Sequence, residues 1–557
     1  MHTKADEKCG PCPLEQETFP DQIPESLRAL QALRKLDGVE AFQYAVAHER
    51  VSVLDGGMVR LSGLCLVMFM CATAIGYDAS LVGVLLVLPS FQSQFGATII
   101  GAKTGLITAM LPIGNACSLP FIGPLTDTWG RRVGVMIGCG LVVMGSIIQG
   151  TSADLPQYLA GRFFLGFGVG VAGGAPAYVV EMAHPRYRGR TAGLFNCFYY
   201  AGSFLAGVVL RGCLHYNNDS SWLIPTWLQV ALPATILCVC PFMPESPRWL
   251  FAHNRKEECR AVLVKYHANG NRESLFVELQ MREFKKELDL HGSDKRWWDY
   301  RCLFNSRSAF YRAVLCGVAV PALAQFTGQG AVTYFLPGVL STVGISKPAQ
   351  VMDINICVAL ASGVCAVAGA SVLDIFGRRK MLIWCCIALV LAWIGTVIST
   401  QQFTADHANS HAARAALAFI FLITMLFSAA YTPLQHLYPA ECFSYEQRAK
   451  GIALAHMGTS VFSLFNLFVT PIALKEIGWK TYCIWIVTCS LQVIYYYFTM
   501  VETKGRTLEE MNYIFAQKSP RTASLRYLNS ESVTGLDRTK NGGMTVDVPS
   551  VVEVEKC

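Results

Sequence analysis

Twelve stretches of this chain are apolar for long enough to cross a hydrocarbon layer of about 30 Å, beginning near Leu61, Gly105, Val133, Leu159, Thr191, Leu223, Ala313, Ile354, Met381, Ala415, Gly451 and Tyr482. No other feature restricts the fold as strongly. Without water to satisfy them, the backbone N–H and C=O groups of such runs must bond within the segment, which leaves helices as the solution. With 53% hydrophobic and 15% charged residues, the 557-residue chain is also too apolar for an ordinary water-facing globule. The expected class is an all-α membrane protein.

The runs divide into two sets of six. Asp127-Thr128-Trp129-Gly130-Arg131-Arg132 and Asp374-Ile375-Phe376-Gly377-Arg378-Arg379 are two copies of one charged turn, 247 positions apart. Glu181 stands seven positions before Arg188 and Glu441 seven before Arg448, while Pro244-Glu245-Ser246-Pro247-Arg248 is echoed by Val501-Glu502-Thr503-Lys504-Gly505. An apolar chain built from two similar halves has the organisation of a membrane transporter. The expected division is a polar N-terminal tail over 1–58, a six-helix bundle over 59–243, a linker with short helices over 244–307, a second six-helix bundle over 308–500, and a tail over 501–557 that is disordered in part. The linker mixes both charge signs, as in Arg282-Glu283-Phe284-Lys285-Lys286-Glu287.

Orientation follows from basic residues in short connections. Arg131 and Arg132, Arg186 and Arg188, Arg378 to Lys380, and Arg448 and Lys450 follow the second, fourth, eighth and tenth runs, whereas the alternate connections carry few. Both termini, the linker and the repeated turns are therefore expected in the cytoplasm, and Asn218-Asp219-Ser220 offers a glycosylation acceptor at Asn218 on the outer side. The first 58 residues contain acids and do not resemble a cleavable signal. Most of the 21 cysteines sit in apolar runs as small hydrophobes. The net charge of +7 is spread among loops, which suits anionic lipid better than nucleic acid. No nucleophile motif, metal-ligand cluster or phosphate-binding loop stands out, so no enzyme activity, cofactor or metal is expected.

The repeated turns, Pro176-Ala177-Tyr178-Val179-Val180-Glu181 leading to Arg188-Gly189, and Pro244-Glu245-Ser246-Pro247-Arg248-Trp249-Leu250 together resemble the sugar porter family of the major facilitator superfamily, over roughly residues 60–515. Thr432-Pro433-Leu434-Gln435, Tyr438-Pro439-Ala440-Glu441, Arg448-Ala449-Lys450-Gly451 and the stretch 501–510 look like its fungal branch of lactose and hexose permeases. The resemblance implies two six-helix bundles around a central cavity, alternating access, and a fungal plasma membrane as the setting.

Asp78 lies far inside the first run, about 26 Å from its cytoplasmic end at about 1.5 Å per residue, and Gly76 and Gly83 would let so long a run bend. Arg162 begins the fourth run from the outer side and reaches similar depth. Either charge alone is costly in a low-dielectric site, so the two are candidates for a pair. Desolvation favours the neutral acid at Asp78 and Arg162 favours the carboxylate, so moving Arg162 away would let Asp78 take a proton. One proton crossing the membrane gains about 2.3 kcal/mol per 100 mV, enough to drive accumulation. In the proton-coupled sugar porters that this chain resembles, an Asp and an Arg at matching positions couple proton to sugar. The alternative is a structural ion pair in a uniporter.

Asp127, Gly130, Arg131, Arg132, Glu181 and Arg188, with Asp374, Gly377, Arg378, Arg379, Glu441 and Arg448, read as a cytoplasmic gate whose ion pairs hold the halves together and separate on inward opening. Topology-setting charge is the alternative. For substrate, sugar hydroxyls call for amides beside an apolar face. Gln325, Gln329 and Tyr334 stand in the seventh run, with Asn196 in the fifth, His436 in the tenth, and Thr459 and Asn466 in the eleventh. These departures thin the amide set of the family: Ala324 and Gly330 replace a Gln and an Asn, Asn196 and Thr459 stand where Gln is usual, and His436 where a Trp often stacks on sugar. Each of these polar groups has helix packing as its alternative role. The leading expectation is a symporter of a sugar and protons; the alternatives are a same-fold porter or exporter of a non-sugar metabolite and a non-transporting nutrient sensor.

Overall fold

In the computed structural model, residues 38–49, 54–216, 218–291, 301–407, 409–443, 445–504 and 508–525 are described, together with Leu33, Ser52 and Arg506. Most of the N-terminal tail and residues 526–557 lie outside them, as do the side chains of Asp374, His436 and Arg448.

Twelve membrane-length helical units appear among these residues. They are α1 (Gly56–Leu85), α2 (Ala102–Thr128), α3 (Arg131–Gly150), α4 (Leu155–Met182), α5 (Arg188–Cys213), α6 (Ser220–Phe242), α7 (Arg307–Thr327), α8 (Pro348–Phe376), α9 (Arg378–Ala405), α10 (Ser410–Cys442), α11 (Tyr445–Ile477) and α12 (Thr481–Thr499). Large apolar side chains such as Leu360, Val364, Trp384, Leu391, Val487 and Leu491 are exposed on the outer surfaces of these helices, which is where lipid takes the place of water. The chain is thus a multi-pass, all-α membrane protein.

The helices form two bundles of six. In the first, α1 packs on α5, α4 on both α2 and α3, and α6 on α1 and α3. In the second, α10 packs on α8 and α9, α12 on α9, and α7 on α11. The bundles meet along α5 with α8 and along α2 with α11. Three helices lie outside the bundles on the linker, Pro247–Ala252, Lys256–Tyr266 and Leu275–His291. The linker is anchored by His267, whose Nε2 bonds the carbonyl of Met182 at 2.9 Å while Nδ1 pairs with Gln280 Nε2 at 2.9 Å.

One expectation about local shape is corrected. α1 is an unbroken helix, and Gly76 serves close approach rather than a bend: a Cβ there would stand 1.9 Å from the Tyr199 carbonyl oxygen. The real break is in α7. Gly328 has φ +87°, and a Cβ on it would stand 2.4 Å from the Trp393 ring. Beyond it the chain resumes as short helices, Gln329–Tyr334 and Leu336–Ser341. The carbonyls released by the break are each taken by a side chain: Leu323 by Gln492, Gln325 by Asn466, Phe326 by Thr488 and Thr327 by Trp393.

Candidate functional site

A cavity of about 1260 Å³ lies between the bundles, lined from both halves. Its walls include Asp127, Arg131 and Trp249 beside one repeated turn and Lys450 near the start of α11, so it reaches the face that carries the basic turns. At the opposite face the bundles are joined. Asn355 Nδ2 of α8 donates to Ser80 Oγ of α1 at 2.8 Å, a buried contact, and Arg211 of α5 pairs with Asp353 of α8 at 2.9 Å near the surface.

Beside the cavity, Arg162 Nη1 lies 2.5 Å from Asp78 Oδ1, with both side chains buried. Gln229 of α6 donates from Nε2 to the same carboxylate oxygen at 2.8 Å. Arg162 Nη2 and Gln229 Oε1 are buried without a hydrogen-bond partner. Gln229 also lines the cavity, so it stands between the open space and the ion pair. Sequence reasoning missed this residue; its one visible signal is that it is the single amide in the mostly apolar stretch 222–240.

Of the residues expected at a substrate, Asn196, Gln325, Gln329, Tyr334 and Thr459 line the cavity. They are not equally available. Asn196 Nδ2 donates to the Thr432 carbonyl at 2.7 Å, joining α5 to α10, and Thr459 Oγ1 donates to the Ala455 carbonyl. Gln329 Nε2 donates to Thr333 Oγ1 at 3.2 Å, while its Oε1 is buried and unpartnered. Asn466 is turned away from a substrate role: Nδ2 holds the Gln325 carbonyl at 2.6 Å and Oδ1 accepts from Thr470, so it braces the break in α7. Gln435, next to His436, contributes a further amide to the wall.

The repeated turns form two matching networks, each inside its own half. Gly130 and Gly377 adopt φ +107° and +85°, which admit an acid where a Cβ would clash. Glu245 accepts the backbone N–H of Arg132 at 3.2 Å, and Glu502 accepts those of Arg378 at 2.9 Å and Arg379 at 3.1 Å. These carboxylates cap α3 and α9 at their positive ends. Arg131 then pairs with Glu181 at 3.3 Å and Arg378 with Glu441 at 2.7 Å. Ser246 Oγ and Thr503 Oγ1 donate to Glu181 and Glu441 respectively. Arg131 and Arg378 are thus partners of Glu181 and Glu441, while the side chain of Arg448 lies outside the described residues. Each of these contacts joins residues of one half. Asn218 is exposed on the loop before α6.

The family model described as Sugar (and other) transporter matches residues 64–515. A high-affinity glucose transporter of Kluyveromyces lactis is 27% identical over 443 residues, covering 76% of this chain and 79% of the relative. Hexose transporter HXT10 of Saccharomyces cerevisiae is 25% identical over 471 residues, with 82% and 85% covered. The MFS-type transporter oryC of Aspergillus oryzae is 27% identical over 409 residues, with 73% and 76% covered. The inward open conformation of the xylose transporter XylE from E. coli superposes with a TM-score of 0.66 at 21% identity, over 82% of this chain and 99% of that one. At that identity the likeness speaks for the fold, two six-helix bundles of the major facilitator type. The chain belongs to the sugar (and other) transporter family, and is a membrane transporter rather than an enzyme.

Proposed function

We propose that this protein is a proton-coupled symporter that carries a sugar across a fungal plasma membrane by alternating access, with its basic face and both termini in the cytoplasm. The observation that carries the reading is the buried Asp78–Arg162 pair beside the central cavity. A fully buried ion pair is costly to maintain and contributes little to stability, so its place at a transport cavity favours a working role. The amides of Gln325, Gln329 and Gln435 supply donors and acceptors for sugar hydroxyls. Fungal glucose and hexose transporters among the relatives support the substrate class, and a proton:xylose symporter shares the fold.

In this mechanism the structure is the inward-facing form, closed outside by the Ser80–Asn355 and Arg211–Asp353 contacts. Proton uptake by Asp78 weakens its hold on Arg162, and sugar bound at the broken α7 draws that helix against α1. The repeated turns act as rigid braces that make each half move as a body. The test is uptake of labelled glucose, xylose, galactose, lactose and cellobiose in a transporter-deficient yeast, with and without a protonophore. Protonophore-sensitive uptake of any member is expected.

A second reading, a porter of a less polar metabolite, is favoured by one observation: the side-chain donors of Asn196 and Thr459 are already spent on neighbouring carbonyls. Surface-expressed protein that takes up no sugar of the panel would shift the assignment to it.

A further inference from the structure

We infer that Gln229 is the relay between substrate and proton: the NH2 of its amide is bonded to the Asp78 carboxylate, its oxygen is without a partner, and the residue lines the central cavity. The inference rests on the proton-coupling reading above. Gln229 Nε2 lies 2.8 Å from Asp78 Oδ1, Oε1 has no partner although it is buried, and the residue lines the cavity while being 3% exposed. A buried amide oxygen without a partner is uncommon and calls for one.

An amide has two unlike ends, and this gives the relay its sign. A carboxylate accepts, so the ionised Asp78 fixes the NH2 toward itself and leaves the oxygen as the unbonded end. When a proton from solution binds the carboxylate, Asp78 becomes a donor through its new O–H. The amide then turns, offering Oε1 to that O–H and its NH2 to the cavity. A substrate oxygen that only accepts, such as the ring or glycosidic oxygen of a sugar, is held by the turned form alone. It therefore binds together with the proton, and by linkage each promotes the other.

The groups that surround Asp78 leave this path open. Arg162 and Tyr158 of α4 and Tyr199 of α5 face it from the first bundle, and Tyr334 beyond the break in α7 faces it from the second. Arg162 and Gln229 bond the carboxylate directly, and of the two only the amide can exchange a donor for an acceptor, since a guanidinium only donates.

The experiment uses the full chain in proteoliposomes and counterflow exchange of the same five sugars, which needs no net proton movement. The half-saturation concentration is measured from acidic to neutral pH for the wild type, Gln229→Met and Gln229→Glu. In the wild type it is expected to change by about tenfold over that range. In Gln229→Met it is expected to stay constant within about twofold across that range. Gln229→Glu, which keeps an acceptor and, when neutral, a donor, is expected to retain a pH dependence. A Gln229→Met protein with the wild-type pH dependence overturns the relay and leaves proton coupling standing. A wild type whose half-saturation does not vary with pH for any exchanged sugar, or exchange of no sugar at all, overturns the coupling reading and the relay with it.

Discussion

Asn466 Nδ2 donates to the main-chain carbonyl of Gln325 at 2.6 Å, so an amide of α11 is spent on holding open the break in α7. The break is what places Gln325 and Gln329 on the cavity wall. Asn466→Leu leaves a buried carbonyl unpaired, which costs about 1–3 kcal/mol. The expected result is a lower melting temperature in detergent, together with a raised half-saturation for sugar, because Gln325 loses its fixed position. Wild-type values for both would mean that Gln492, Thr488 and Trp393 hold the break without Asn466.

The two capped turns should respond alike. Gly377→Ala places a Cβ 2.8 Å from Glu502 Oε2 at a backbone φ of +85°, and Gly130→Ala places one 2.5 Å from Glu245 Oε2 at +107°. Each is expected to destabilise its half by more than about 1 kcal/mol. Glu502→Gln keeps the shape and removes the charge at the start of α9, with an expected loss of about 1–2 kcal/mol. Thermal unfolding of the purified variants checks the set.

Closure of the face opposite the basic turns rests unequally on its two contacts. The Arg211–Asp353 pair is 40% and 57% exposed, so Asp353→Asn should change stability by less than about 1 kcal/mol. Asn355→Leu strands the buried Ser80 hydroxyl, and should shift the population toward the outward-open form. Distances between spin labels at Gly212 and Lys347, measured by electron–electron double resonance in a cysteine-depleted protein, should lengthen in Asn355→Leu and stay near wild type in Asp353→Asn.

Acid should loosen the linker before the bundles. Burial holds His267 down at about 4 and His184 at about 3, against an ordinary value of 6.5. Both are therefore neutral when docked, and His267 donates to the Met182 carbonyl in that form. A depressed folded-state value means that the stabilisation is complete above about pH 6.5 and is lost as the pH falls through about 4. For His267 alone the difference is roughly 3 kcal/mol. Hydrogen exchange of the helices Lys256–Tyr266 and Leu275–His291 should accelerate across that window, and should do so less in His267→Gln.

The membrane fold is legible because helix length and apolarity act locally, and the duplicated Asp-to-Arg-Arg turn divides the chain into halves. Asp78 and Arg162 can be matched by depth alone. Contacts that depend on where a side chain turns are not legible in the same way. The echo of Glu245 by Glu502 is plain in the sequence, yet nothing local says that both acids cap backbone N–H groups. Asn466 has the chemistry of a sugar ligand, and only the break in α7 explains why it faces a carbonyl. Gln229 is a single amide in an apolar run, and its meaning comes from α1 and α4, far away in the chain.

The central claim is that sugar and proton move together through Asp78. The most direct test is purified protein in proteoliposomes containing a pH-sensitive dye, to which each sugar of the panel is added without any imposed gradient. Proton movement in the direction of sugar entry is expected for the transported sugar, absent in Asp78→Asn although that variant still exchanges sugar. Sugar entry with no accompanying proton movement would contradict it, and would leave Asp78 and Arg162 as a structural pair in a uniporter.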